Sequence, residues 1–236
     1  MKQKHENGRP SLHHISGRWR LSQTKLLRLD LSAPYLCNNT MLVAAVMVLL
    51  SYLMGSVSCA ILVCKAFGSV DPRTHGSGNP GATNVLRLYG KKAALATLAG
   101  DFLKGLIPLL IGNTLSLSEA SMATVGVAAF IGHLYPVFFR FQGGKGVATF
   151  IGVLYGIAWP LGILFMLEWL VIATVFRISS LSALVAAFSS PFFVYAVTGS
   201  AYFLAAVCVM VAFIFWRHRS NIAKLIAGTE GKIKVK

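Results

Sequence analysis

Apolar residues run along this chain in blocks long enough to cross a lipid bilayer, and short polar connections separate them. The blocks are 41–64, 93–112, 120–139, 147–176, 181–197 and 201–216. About 20 helical residues, at roughly 1.5 Å each, cover a hydrocarbon core about 30 Å thick, so most blocks predict one spanning helix. The block 147–176 is longer, and its Trp159-Pro160 pair predicts a turn. Dividing it there gives seven spans. Two of them hold about 15 residues, reach only about 23 Å, and must span thinly or be partly re-entrant. The pattern therefore predicts an all-α integral membrane fold, a seven-span helical bundle. A single tilted helix over 147–176 would instead place the C-terminus differently relative to Arg177. No fixed-period repeat is visible.

Charge then orients the bundle. The connections at 113–119, at Trp159-Pro160 and at 198–200 contain no Lys or Arg. The opposite connections hold Lys65, Arg73, Arg87, Lys91, Lys92, Arg140, Lys145 and Arg177, followed by a basic C-terminus. Basic loops stay in the cytoplasm, so these connections are expected on the cytoplasmic face of the membrane. Composition agrees with the class: of 236 residues 56% are hydrophobic and 12% charged, and the mean hydropathy is +0.67. The net charge of +15 does not point to nucleic acid, because it sits in tails and polar loops as topology predicts. Cys37, Cys59, Cys64 and Cys208 have no metal or C-x-x-C spacing and read as small hydrophobes.

Residues 1–40 differ in character from the rest of the chain. They carry seven Lys or Arg against two acids and have no apolar stretch that a secretory signal requires. They read as a basic, disordered N-terminal extension ahead of a membrane domain at 41–236. Seven spans with a cytoplasmic C-terminus put that extension outside, where its charge is unfavourable. The expectation is that residues 1–40 are dispensable, with translation starting at Met41.

Three polar stretches fall on the basic face: "GSGNPGATNVLR" (76–87), "GHLYPVFFRFQGGKGVAT" (132–149) and "RHRSNIAKLIAGTE" (217–230). "GSGNPG" fits G-x-G-x-x-G, but a dinucleotide fingerprint joins a strand to a helix, and here a membrane span precedes it. "GGKG" is no P-loop: Phe139 stands where the first Gly belongs and Gly146 where Ser or Thr would hold magnesium. The physical chemistry behind both patterns remains available. Glycine lets backbone N–H groups approach a phosphate, and successive N–H groups form an anion nest. Ser77, Asn79, Thr83 and Asn84 add short hydrogen-bonding side chains, and Arg87 can grip phosphate with two donors. Gly143, Gly144 and Gly146 flank the point charge of Lys145, while His218 and Asn221 share one helix face.

Ionisable residues inside the apolar blocks are costly and usually face a partner or a site. Asp101 and Lys104 lie three apart, so they can neutralise each other, or Lys104 can support the anion site. His133 reads as a helix-packing group rather than a metal ligand, and no cluster has metal spacing. Glu168 has no evident partner nearby in sequence.

Together the three stretches closely resemble the motifs of the bacterial membrane glycerol-3-phosphate acyltransferases that use acyl-phosphate, the PlsY family. "SYLMGS" and "GDFLKG" are similar to that family too, and the likeness covers about residues 50–230. It implies a seven-span enzyme with cytoplasmic-face active-site loops. Such an enzyme moves a fatty acyl group from acyl-phosphate to the 1-hydroxyl of glycerol 3-phosphate, giving lysophosphatidic acid and phosphate. By position it implies catalytic roles for Ser77, His218 and Asn221, and substrate binding by Asn79, Thr83, Asn84, Arg87, Gly143, Gly144 and Lys145. Glu230 is implied to be structural. Lys104 is added as a supporting substrate-binding cation. No cofactor or metal is expected. The expected partners are the two substrates, membrane lipid and a soluble enzyme supplying acyl-phosphate.

The chemistry of the residues is consistent with that resemblance. Both substrates carry phosphate and one carries an acyl tail, which suits a cationic site at a membrane edge. No histidine begins the H-x-x-x-x-D signature of other glycerolipid acyltransferases. Gln142 replaces a lysine usual in the second motif, Ser58 and Cys59 replace a Pro-Phe pair, and Ala183 replaces a serine, which puts one polar contact in doubt. The competing reading is a multi-span transporter of a phosphorylated solute. It predicts midplane binding groups and an inverted repeat, and neither is seen.

Overall fold

The computed structural model describes residues 33–233, with side chains from Thr40, and among these residues every regular element is helical. The order is α1 (Ala33–Gly55), α2 (Cys59–Ala66), α3 (Ala82–Thr114), α4 (Glu119–Leu134), a 3-10 turn (Val137–Phe139), α5 (Val147–Ile157), α6 (Trp159–Phe176), α7 (Ser179–Thr198), α8 (Ala201–Arg217) and α9 (Arg219–Ile226). The all-α integral membrane expectation holds. Four segments are long and apolar enough to cross a membrane: α3, α4 with its 3-10 turn, α6 and α7. Counting each of two bent pairs as one span raises the number to six. A seventh span would have to be α5, whose 11 residues reach only about 17 Å, so the count of seven is not established.

The expected division of 147–176 falls where proline predicts it. Ala158 is extended (φ −158°, ψ 125°), and Pro160 sits in the first turn of α6, where its missing N–H has no helical partner to lose. The first block behaves differently from the expectation of one continuous span. It breaks at Ser56–Ser58 with a 43° bend between the α1 and α2 segments. The freed Val57 carbonyl accepts a hydrogen bond from Lys104 Nζ at 2.8 Å, so a side chain from α3 satisfies the interrupted ladder. The helix also starts at Ala33 rather than Met41. The remaining expectations for the N-terminal extension lie outside the described residues.

Small residues allow helices to pack without an apolar driving force, as lipid-embedded packing requires. A Cβ on Gly105 would lie 2.2 Å from the Thr149 carbonyl oxygen, and one on Gly152 would lie 2.1 Å from that of Phe102. These contacts hold α5 against the middle of α3. Around them Phe150 stacks edge-on against Phe130 and Phe165, at 6.3 and 5.7 Å between ring centres, which joins α4, α5 and α6.

The connections at the two ends differ in character. At one end, Ser200 Oγ donates to Glu119 Oε2 (2.6 Å) and ties the turn before α4 to the turn before α8. The intramembrane Glu168 accepts a hydrogen bond from Ser189 on α7, which supplies the partner the sequence did not reveal. At the other end lie segment 67–81, segment 135–146, the turn at Arg177–Ile178 and segment 218–233, and the three polar motifs lie in these segments and the helix ends that adjoin them.

Candidate active site

The first motif is organised by Asn84, in the first turn of α3. Its Oδ1 accepts the Ser77 N–H (3.0 Å), and its Nδ2 donates to the Pro72 and His75 carbonyls (2.9 and 3.1 Å). Gly76 turns with φ +65°, and a Cβ there would lie 2.3 Å from Asn84 Oδ1. This position demands glycine for both reasons. Ser77 is thereby held at the exposed crest of the loop. Asn84 itself is 1% exposed and fully engaged, so it shapes the loop and does not offer its amide to a ligand, contrary to the sequence expectation. Asn79 is half-buried, Thr83 Oγ1 lies 3.4 Å from Ser179 Oγ, and Arg87 is exposed on the second turn of α3.

The second motif is a tight loop, tied to the first loop region where Arg73 Nη1 donates to the Phe139 carbonyl (3.2 Å). The Gly144 N–H donates to the His133 carbonyl (3.2 Å). The carbonyls of Gly143 and Gly144 accept from Arg217 Nη2 and Nε, at 2.7 and 3.1 Å. The glycines are therefore buried and held between α4 and α8, and the Gly144 N–H is not available to an anion as expected. What the loop presents outward is Lys145, just before the N-terminus of α5, where unpaired backbone N–H groups favour negative charge.

The third motif closes the arrangement. Lys145 Nζ donates to Asn221 Oδ1 (2.5 Å), Asn221 Nδ2 donates to Glu230 Oε1 (2.7 Å), and Ser180 Oγ donates to that same oxygen (2.7 Å). The Ile233 N–H bonds the Arg177 carbonyl (2.6 Å), so segment 229–233 returns from α9 to the α6–α7 turn. The closest atom to a Cβ built on Gly231 is Nη2 of Arg87, 3.7 Å away, which brings the first motif to the same strap. His218 is 3% exposed and donates from Nδ1 to the Ile214 carbonyl (2.8 Å), leaving Nε2 as the acceptor nitrogen.

Lys104 does not join this set. Its ammonium is 5% exposed and committed to Asp101 Oδ1 (2.8 Å) and Val57 O, so the reading of mutual neutralisation holds and that of a supporting substrate ligand does not. Glu230, implied to be structural, ties Asn221 to Ser180, while sequence reasoning missed the grip of Arg217 on the glycine loop and the role of Ser180. Arg217 and Glu230 both lie within the quoted third motif, but their partners are 50 or more residues away or across a chain reversal. No composition signal reveals those.

Burial pushes Lys145 down to about 8, against an opposing effect of Glu230, with Arg217, Lys224 and Arg87 adding to the depression. The basic surroundings thus add to the effect of burial. Lys145 is charged below its pKa and loses its proton above it. For a ligand bearing phosphate, kcat/KM should fall with rising pH through an alkaline limb near 8, since this parameter reports the free enzyme. Lys145→Arg, which stays charged, should remove the limb. A limb unchanged in that variant would contradict the assignment.

The geometry has a counterpart among known proteins. The profile of the glycerol-3-phosphate acyltransferase family matches residues 45–228. The chain belongs to this family. Curated glycerol-3-phosphate acyltransferases of Thioalkalivibrio sulfidiphilus and Methylococcus capsulatus are each 53% identical to it. The first aligns over 82% of this chain and 95% of its own length, the second over 79% and 94%. The crystal structure of PlsY, an integral membrane glycerol 3-phosphate acyltransferase, in its glycerol 3-phosphate form superposes with a TM-score of 0.77. It is 39% identical and covers 81% of this chain and 96% of its own. Its lysophosphatidic acid form gives 0.76 at 38% identity. The acyltransferase is thus a membrane enzyme of the PlsY type, and the family match contains the first two motifs whole and the third as far as Gly228.

Proposed function

We propose that this enzyme transfers a fatty acyl group from acyl-phosphate to the 1-hydroxyl of sn-glycerol 3-phosphate, forming 1-acylglycerol 3-phosphate and releasing phosphate. The observation that supports the reading is Lys145, beside the N-terminus of α5 and hydrogen-bonded to Asn221, with the Arg87 guanidinium reaching the neighbouring strap at Gly231. Donor and acceptor both bear phosphate, and such a grouping answers that need in one place. The acyl chain lies in lipid while the phosphates stay at the surface. The basic loops support a cytoplasmic orientation of this surface at a bacterial inner membrane, where a soluble enzyme would deliver acyl-phosphate.

In this reading Lys145 and Arg87 hold phosphate, Asn79 and Thr83 line the approach, and Ser77 donates a hydrogen bond to substrate. Asn221 and His218 orient glycerol 3-phosphate and the acyl-phosphate group, with Glu230 fixing which end of the Asn221 amide faces Lys145. The glycerol hydroxyl oxygen attacks the acyl carbon, the bond from that carbon to the phosphate oxygen breaks, and the hydroxyl proton leaves with the phosphate. The phosphate can accept it because its second pKa is about 6. Two features favour direct transfer over an acyl-enzyme. Ser77 Oγ makes no hydrogen bond to His218, and the Nδ1 of His218 bonds a carbonyl rather than an orienting acid.

Purified enzyme in lipid vesicles tests the assignment. Lysophosphatidic acid and phosphate should appear in equal amounts from acyl-phosphate, and phosphate only when glycerol 3-phosphate is present. Uptake of a phosphorylated solute without acyl transfer would instead support the transporter reading.

A further inference from the structure

We infer that Asp101 and His133 are positioning residues, a buried buttress that sets where the glycine loop presents Lys145. The inference rests on the reading of Lys145 as a phosphate ligand. Asp101 and Lys104 stand on successive turns of α3, and His133 stands in the last turn of α4. All three are nearly sealed, with side chains 3, 5 and 6% exposed. His133 Nδ1 lies 3.5 Å from the Asp101 oxygen that Lys104 also contacts. The Nδ1 edge of the ring thus faces the carboxylate on α3 across a charge contact, without a hydrogen bond.

The opposite edge of the ring meets the loop. A Cβ on Gly144 would fall 2.3 Å from His133 Nε2, and one on Gly143 would fall 2.0 Å from the His133 carbonyl oxygen. That carbonyl also accepts the Gly144 N–H. The imidazole is thus a buried spacer, placed between a carboxylate in α3 and the backbone one residue before Lys145. Arg217 holds the other side of the same two glycines. Neither His133 nor Asp101 is exposed to a ligand, so neither touches substrate. If the ion pair served only to neutralise itself in lipid, no imidazole in contact with the loop would be required.

The test uses the full-length enzyme in vesicles, with KM for glycerol 3-phosphate and kcat measured on the folded fraction. His133→Ala should raise KM about tenfold with a smaller effect on kcat, below the roughly 100-fold that a 1 Å misplacement can cost. The pair Asp101→Leu with Lys104→Gln, which removes both charges together, should also raise KM by about that factor. His133→Gln, which keeps a polar side chain of similar reach, should recover part of the loss, and it carries the test if His133→Ala does not fold. Folded variants whose KM stays at the parent value, so that activity falls only with the amount of folded protein, would overturn the buttress. The parent enzyme in the same assay separates the two readings. If it fails to turn over acyl-phosphate with glycerol 3-phosphate, the functional proposal fails; if it succeeds while the variants keep its KM, only the buttress does.

Discussion

Lys145→Ala is expected to lower kcat/KM for glycerol 3-phosphate about 100-fold, chiefly through KM. A charge-assisted hydrogen bond contributes roughly 1.5–3 kcal/mol, and about 1.4 kcal/mol is a factor of ten. The upper part of that range applies because Lys145 is partly withdrawn from water and faces Asn221 rather than a carboxylate, so its charge is not neutralised by direct pairing. Initial rates against glycerol 3-phosphate concentration provide the check. A KM left at the parent value would remove Lys145 from the phosphate site.

Asn84→Asp should be as damaging, for a different reason. The substitution is nearly isosteric and keeps the acceptor for the Ser77 N–H. It replaces the Nδ2 donor with a second oxygen, which would face the Pro72 and His75 carbonyls at about the present separations of 2.9 and 3.1 Å. Repulsion between buried acceptors, together with lost hydrogen bonds, costs on the order of 2–4 kcal/mol and opens the loop that carries Ser77. Activity should fall about 100-fold while the rest of the bundle persists. Circular dichroism of the detergent-solubilised variant measures the helix content separately. Near-parent activity would show that the loop geometry is not needed.

These two residues also mark what could be read from the sequence. Hydropathy located the helices because span length is a property of consecutive residues, and Pro160 marked the α5–α6 division. The break at Ser56–Ser58 escaped because it depends on Lys104 reaching Val57 from a different helix. Among the site residues, the motifs marked where polar chemistry gathers, and Lys145 with Asn221 does meet there. The direction of each side chain was not legible. Asn84 and Lys104 have the composition of ligands, but one closes its own loop and the other fills an ion pair in α3. Glycine was read as a phosphate contact in 143–144, whereas its smallness serves the close approach to His133. Glu230 became a hub only because α9 turns the chain back toward Ser180.

The central claim is that one cationic site supports direct transfer between two phosphate-bearing substrates. The most direct measurement is intact-mass and peptide analysis of enzyme incubated with labelled acyl-phosphate alone and then quenched. The account predicts unmodified protein, with label entering lysophosphatidic acid only after glycerol 3-phosphate is added. A stoichiometric acyl adduct on Ser77 that glycerol 3-phosphate then discharges would contradict it.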